Sequence, residues 1–213
     1  MPQNTHNPDT TAAPGPDRRA RQRERRRAEL YETALELFIE KTFEGTTMED
    51  IAERADVARA TVFNYFPRKV AFLEEWATRR RELAIEAAYS EDATESSLRD
   101  VLVRYFTTMA ALTESSPAES AAVILGAVHS TDIWRRSPLA SEFGRVIAQA
   151  QEKGEIERSL DADRIGLFLS SSYYVILTAW ASESPAPFDL TEELVGTVDI
   201  LLGGILPRTG PAR

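Results

Sequence analysis

Thr46 to Lys69 reads TTMEDIAERADVARATVFNYFPRK, a stretch that spells two short helices with a tight turn between them. Thr46 and Thr47 each have an acid three residues on, Glu49 and Asp50. That is the spacing of a capping box, in which a hydroxyl and a carboxylate satisfy N–H groups that a helix start leaves without partners. Met48, Ile51, Ala52 and Ala55 then fall at i, i+3, i+4 and i+7, which is one narrow buried face. Asp56-Val57 predicts the turn. Ala58 to Phe66 predicts the second helix, stopped by Pro67, whose ring bars helical continuation. Two short helices joined this way make a helix-turn-helix, whose second helix has the dimensions to enter a DNA major groove.

The flanks supply the rest of a small core. Leu30, Ala34, Leu37 and Phe38 recur with helical period before the motif. Phe43 is placed to close a three-helix core with Ile51, Val57, Val62 and Phe66. Gly45 suits the turn before Thr46. From Pro67 to about Tyr89 a longer helix starts, with proline in its tolerated first turn. Its apolar face is Val70, Leu73, Trp76, Ala77, Leu83 and Ala84, interrupted by Arg79-Arg80-Arg81.

At these residues the chain resembles the tetracycline-repressor (TetR) family of transcriptional regulators. The family's pattern stands here as Thr46-Thr47, Ile51-Ala52, Val57, Thr61-Val62-Phe63-Asn64-Tyr65-Phe66 and Lys69, within a resemblance running from Arg27 to Leu73 and beyond. Three positions depart from it. Asp56 replaces the usual glycine, and aspartate tolerates a left-handed turn. Ala58 replaces the usual serine and removes a capping oxygen that contributes about 1 kcal/mol. Ala60 replaces a common glycine and narrows how closely backbone can approach DNA.

The resemblance and the chemistry of the side chains together give a set of expected DNA contacts. Arg59 is the only side chain of the second helix able to contact guanine through two hydrogen bonds, and Asn64 suits adenine or a phosphate. Thr61 and the methyl groups of Ala58 or Ala60 suit thymine methyls. Thr47, Tyr65 and Lys69 match family positions that hold phosphates, which set register without reading sequence. Phe63 stands where the family usually has tyrosine and so lacks that hydroxyl. Thr46, Arg26 and Arg27 complete the set. The two arginines close a run of seven between Arg18 and Arg27 that holds a single acid, Glu24. Such a run is either a solvated arm or helix face, or a basic extension that neutralises phosphates or enters a minor groove.

Composition removes other classes. The 213 residues carry a net charge of −9, unusual for a DNA binder until it is divided. Residues 1–80 hold 14 basic and 14 acidic side chains, so the whole excess of acid lies in residues 81–213. Local patches, more than net charge, decide nucleic-acid binding. There is no cysteine and only two histidines, His6 and His129. That excludes disulfides, thiolate chemistry and an imidazole-rich metal site. No carboxylate pair stands on an otherwise apolar helix face, and no Ser-His-Asp spacing exists. No catalytic residue, metal or cofactor is expected, and the chain reads as no enzyme. No apolar run approaches the roughly 20 residues that span a bilayer, and no signal core is legible, so a cytoplasmic protein without membrane contact is expected.

Beyond the motif, helices are expected at about 95–114, 117–129, 138–153, 162–182 and 190–206, with no strand alternation and no repeat. The fold class is all-α. Residues 1–17 read as a disordered tail, 18–68 as a basic arm with the DNA-binding domain, 69–206 as a helical regulatory and dimerisation domain, and 207–213 as a second tail. The helix at 162–182 is apolar nearly all round, which suits either an intramolecular core or a core face plus a subunit face. With the last helix it suits a twofold four-helix contact, by which the family dimerises. Leu167, Ser170, Ser171, Trp180, Leu194, Val198, Leu201 and Leu202 are the expected contacts. A dimer would present two reading helices to a palindromic operator.

The family also commonly holds a small-molecule effector inside the helical domain, and the helix after the motif transmits the signal. Trp76, Tyr105, Phe106, Met109, Trp134, Phe143, Tyr173, Tyr174 and Thr178 are the candidates to line such a cavity, mostly apolar with a few polar handles. They suit an apolar or aromatic effector. The alternative reading of the motif is a helix-turn-helix that binds protein, without ligand control.

Overall fold

The computed structural model describes residues 16–89, 96–128 and 138–204. The expectations for residues 1–15, His6, residues 129–131, Trp134 and the C-terminal tail lie outside them. Among the described residues there are nine helices and no strand. They are α1 (Pro16–Gly45), α2 (Met48–Arg54), α3 (Arg59–Tyr65), α4 (Val70–Ala88) and α5 (Leu98–Glu114). Then follow α6 (Pro117–Val128), α7 (Leu139–Glu152), α8 (Ala162–Ala181) and α9 (Leu190–Gly203).

The arginine run belongs to α1 and is no separate arm. Arginine is a strong helix former, so the helix already runs through Arg18 to Arg27, well ahead of the apolar period that begins at Leu30. Arg25 and Arg26 both pair with Glu29 one turn on. Near the far end Thr42 takes φ +65°, strained for a β-branched residue. Local bonds hold it: its hydroxyl accepts from the Gly45 N–H, and its carbonyl accepts from the Thr46 hydroxyl at 2.8 Å.

Leu30, Leu37, Phe38, Ile51, Val62 and Phe66 bury fully between α1, α2 and α3. Phe72 of α4 enters this core, stacked on Phe66 at 3.9 Å and edge-on to Phe38 at 6.2 Å. The remaining helices continue the same core through Leu102, Phe106, Ile124, Ile147, Leu169 and Leu190. Its tightest crossing joins α7 to α8. A Cβ on Gly166 would lie 2.3 Å from the Ala140 carbonyl and 2.5 Å from the Gly144 nitrogen, so only glycine allows this approach.

Candidate nucleic-acid interface and ligand cavity

Of the two possible capping boxes, α2 uses Thr47 with Asp50. The Thr47 hydroxyl accepts from the Asp50 N–H at 3.1 Å, and the Asp50 carboxylate accepts from the Thr47 N–H at 2.7 Å. Hydrogen bonds from the Thr47 hydroxyl, from Lys41 and from the Thr47 backbone hold the Asp50 carboxyl well below the usual range. The turn carries Asp56 at φ +52°, the left-handed conformation for which glycine is usual. Ala58 caps α3 with backbone alone.

Inward burial of Val62 and Phe66 turns the opposite face of α3 outward. Arg59, Ala60, Phe63 and Asn64 stand exposed there, with Ala58 just before them, while Thr61 and Tyr65 are half-buried. The Arg59 guanidinium lies 2.7 Å from Glu49 on α2 and 5.2 Å from the Phe63 ring centre. Both partners of the Glu49 pair are more than half exposed, so opening it costs at most about 1 kcal/mol. Arg26 and the other arginines from Arg18 to Arg25 are exposed along α1.

Three of the expected contact residues are engaged within the fold. Thr46 is fully buried, and its hydroxyl donates to the carbonyls of Leu37 and Thr42. Lys69 donates to the carbonyls of Phe43, Thr46 and Glu44 at 2.5, 2.7 and 3.5 Å. An ammonium has three protons, so this one is spent holding the α1–α2 corner. Burial holds its pKa below the usual lysine value. Arg27 donates to the Tyr65 carbonyl at 3.0 Å and to Glu75 at 2.7 Å, over the Phe66 ring at 4.4 Å. It ties α1 to α3 and α4.

A cavity of about 250 Å³ lies among α4, α5, α6, α7 and α8, with Trp76, Tyr105, Met109, Tyr173 and Tyr174 among its walls as expected. A second, of about 260 Å³, has Tyr105 and Phe143 in its wall and opens beside the exposed Tyr89. Phe106 lines neither: it packs behind them against Tyr105, Phe143 and Tyr173 at 5.4 to 5.8 Å. Thr178 is turned back on the Tyr174 carbonyl. Burial pushes the Tyr105 and Tyr173 phenols far above their ordinary pKa, so both stay neutral. The sequence did not mark Val123, Ile124 and Ala127 of α6 as walls, nor Arg81. The only sign of Arg81 was its interruption of the α4 apolar face.

Helix α6 touches both the cavity and the reading head. Its Gly126 lies against Phe43 so closely that a Cβ there would fall 2.5 Å from the Phe43 Cβ. Glu119, at its start, accepts from the Trp76 indole at 2.8 Å and from Arg80 at 2.9 Å. Arg80 covers the Trp76 ring at 3.8 Å, and Arg79 covers Tyr31 of α1 at 4.0 Å.

The outer side of α8 is apolar, while on α9 Ile200 stands exposed beside the acids Glu192, Glu193 and Asp199. Leu167, Phe168, Val175 and Ile200 are each more than half exposed, with Ser171 among them. Leu201 and Leu202 are half-buried. Ser170, Trp180, Leu194 and Val198, expected on a subunit face, are instead buried in the protomer's own core. On α8 the residues that look inward and those that look outward alternate by the helical turn, so adjacent residues such as Ser170 and Ser171 part company.

A helix-turn-helix with an exposed reading face, carried on a helical domain that encloses an aromatic cavity, defines a class of DNA-binding regulator. The sequence comparisons agree. Residues 30–76 match the model of the bacterial regulatory proteins of the tetR family. The transcriptional regulator TcmR of Streptomyces glaucescens is 42% identical over 66 residues, 30% of this chain and 29% of that protein. The transcriptional repressor DhaR of Mycobacterium sp. strain GP1 is 27% identical over 160 residues, 69% of this chain and 78% of that protein. The crystal structure of Thermus thermophilus FadR, a TetR-family repressor in complex with lauroyl-CoA, superposes with a TM-score of 0.71 at 27% identity. It covers 88% of this chain and 98% of that one. Residues 30–76 are thus the DNA-binding region of the tetR-family regulators, and the chain as a whole shares the fold of a TetR-family repressor.

Proposed function

We propose that this protein is a ligand-responsive transcriptional repressor that binds a palindromic operator as a homodimer and leaves it when a small apolar or aromatic effector fills the cavity. The observation that carries the reading is the double contact of α6: Val123, Ile124 and Ala127 wall the cavity while Gly126 abuts Phe43. Added volume in the cavity moves α6 and α4, and Phe43 passes the shift to the α1–α2 corner that Lys69 holds. A ligand shifts the equilibrium only by its differential affinity for the two arrangements, and the walls supplied by both helices provide that difference.

Base reading falls to Arg59 and Asn64, with Ala58, Ala60, Thr61 and Phe63 against thymine methyls or sugars. Thr47, Tyr65, Arg26 and the exposed arginines of α1 take phosphates. The subunit face is the exposed apolar side of α8, around Leu167, Phe168, Ser171 and Val175, with Ile200 of α9, flanked by Leu201 and Leu202. Twofold pairing there buries a patch that water otherwise wets. No helix among the described residues is long and apolar enough to cross a membrane, consistent with a protein that works in the cytoplasm beside its DNA.

The test is a gel shift of the full-length protein on palindromic duplexes it has retained from a mixture, between about 50 and 200 mM salt. A protein that neutralises several phosphates loses affinity steeply over that range. A shift indifferent to salt, or none at any salt, would return the motif to the protein-binding reading.

A further inference from the structure

The two cavities share one wall, formed by Tyr105 and Leu139. Arg81 lines the larger from α4, and Glu142 lines the smaller from α7. Arg81 Nε lies 3.3 Å from Glu142 Oε2, and the two side chains are only 17% and 20% exposed. The pair is poorly aligned, for Glu142 Oε2 is buried without a hydrogen bond. A carboxylate oxygen has room for more than one donor, and leaving it without any destabilises the fold. The terminal torsion of glutamate is soft, so this oxygen turns readily toward a donor arriving in the cavity. Tyr105, kept neutral by burial, lines both cavities beside the pair.

The charge balance of the walls decides what such a guest can be. Glu74, Arg81, Glu142 and Arg145 are the charged side chains lining the two cavities among the described residues, and they sum to zero. Glu74 is engaged by Arg68 at 2.8 Å, and Arg145 stands exposed at the outer mouth. An anionic guest beside the pair would face Glu142, and a cationic guest would face Arg81. Each would leave an uncompensated charge in an apolar enclosure. An uncharged group with a donor and an acceptor side by side answers both members at once.

We propose that the Arg81–Glu142 pair is the polar recognition element of the effector site and selects an uncharged apolar or aromatic molecule bearing adjacent donor and acceptor atoms, such as an amide. This rests on the effector-cavity reading above. Carboxylates and amines of the same size are discriminated against by the pair's own balance.

The test displaces the uncharged fluorophore N-phenyl-1-naphthylamine from the full-length protein with three chains of equal length at neutral pH: decanamide, decanoate and decylamine. Decanamide should compete at least tenfold better than either ion. Glu142→Gln leaves Arg81 uncompensated, so decanoate should gain at least tenfold over the unaltered protein while decanamide changes less. Arg81→Gln should give the mirror result with decylamine. Both variants are checked by melting and by dye uptake, so one that fails to fold leaves the other to decide. Decanoate equal to decanamide in the unaltered protein, or an order unmoved by either variant, would overturn the assignment. Folded protein that takes up no dye at all would instead overturn the effector cavity itself, and the pair's role with it.

Discussion

Gly126→Ala isolates the link between cavity and reading head. The new Cβ would lie 2.5 Å from the Phe43 Cβ and 2.8 Å from its Cγ, where carbon pairs rest at about 3.5–4.0 Å. Something must therefore move by roughly 1 Å. Phe43 yields with difficulty, being nearly buried and packed edge-on to Phe38 at 5.1 Å. Overpacking of this kind costs about 1–3 kcal/mol, offset by up to about 1 kcal/mol from replacing a helical glycine with alanine. The net is a loss of about 1–2 kcal/mol, or a melting temperature lower by roughly 3–6 °C for a chain of this size. The displaced Phe43 drags the carbonyl that holds Lys69 and, with it, the start of α4. Operator affinity should therefore fall by about tenfold, a loss of about 1.4 kcal/mol, measured by anisotropy of a labelled duplex well below the melting range. In a Phe43→Gly background the Cβ and Cγ that the new methyl would meet are both gone, so the added alanine should cost much less in both assays. An equal cost in both backgrounds, or normal DNA binding by the destabilised single variant, would refute the coupling through this contact.

Other perturbations follow from the same geometry. Arg59→Ala should relax selectivity at one base pair by about 1–3 kcal/mol, read by competition among operators changed one position at a time. Glu49→Gln frees the same arginine from its surface pair and removes an acid near the phosphates, so it should tighten binding modestly at low salt. Val175→Glu alters a side chain 69% exposed in the protomer. The fold should survive, while the mass of twice 23.8 kDa that the proposed twofold pairing requires should fall to 23.8 kDa, because like charges would meet across the axis. Burial raises the Tyr31 phenol from 10.0 to about 12, and Tyr105 and Tyr173 rise as well. A raised phenol binds its proton more tightly in the fold, so stability holds below pH 10 and drains away as pH climbs from 10 toward 12. Absorbance at the phenolate band should accordingly show these tyrosines ionising together with unfolding, while an ordinary titration near pH 10 for all of them would contradict their burial.

The parts of this molecule written in short-range signals were legible in the residues alone. The α2 cap was narrowed to Thr46 with Glu49 or Thr47 with Asp50, Asp56 took the left-handed turn, and Pro67 ended the motif, each within a few positions of its effect. What escaped depended on partners far along the chain. Lys69 looks like a phosphate ligand until the Phe43 carbonyl, 26 residues earlier, is found beside it. Arg27 looks like part of a basic run until Tyr65 and Glu75 claim it. Along α8 the composition is apolar on every side, so only packing distinguishes the buried Trp180 from the exposed Val175. Arg81 and Glu142 lie on different helices, and nothing in either local pattern marks them as a pair.

The most direct test of the account is selection of bound duplexes from a random pool by the full-length protein, with the mass of the retained complex recorded. The account predicts enrichment of a twofold-symmetric consensus, its half-sites separated by about one helical turn of DNA or a multiple of it, carried by two chains per duplex. An asymmetric consensus held by one chain, or no enrichment by a folded dimer, would contradict it.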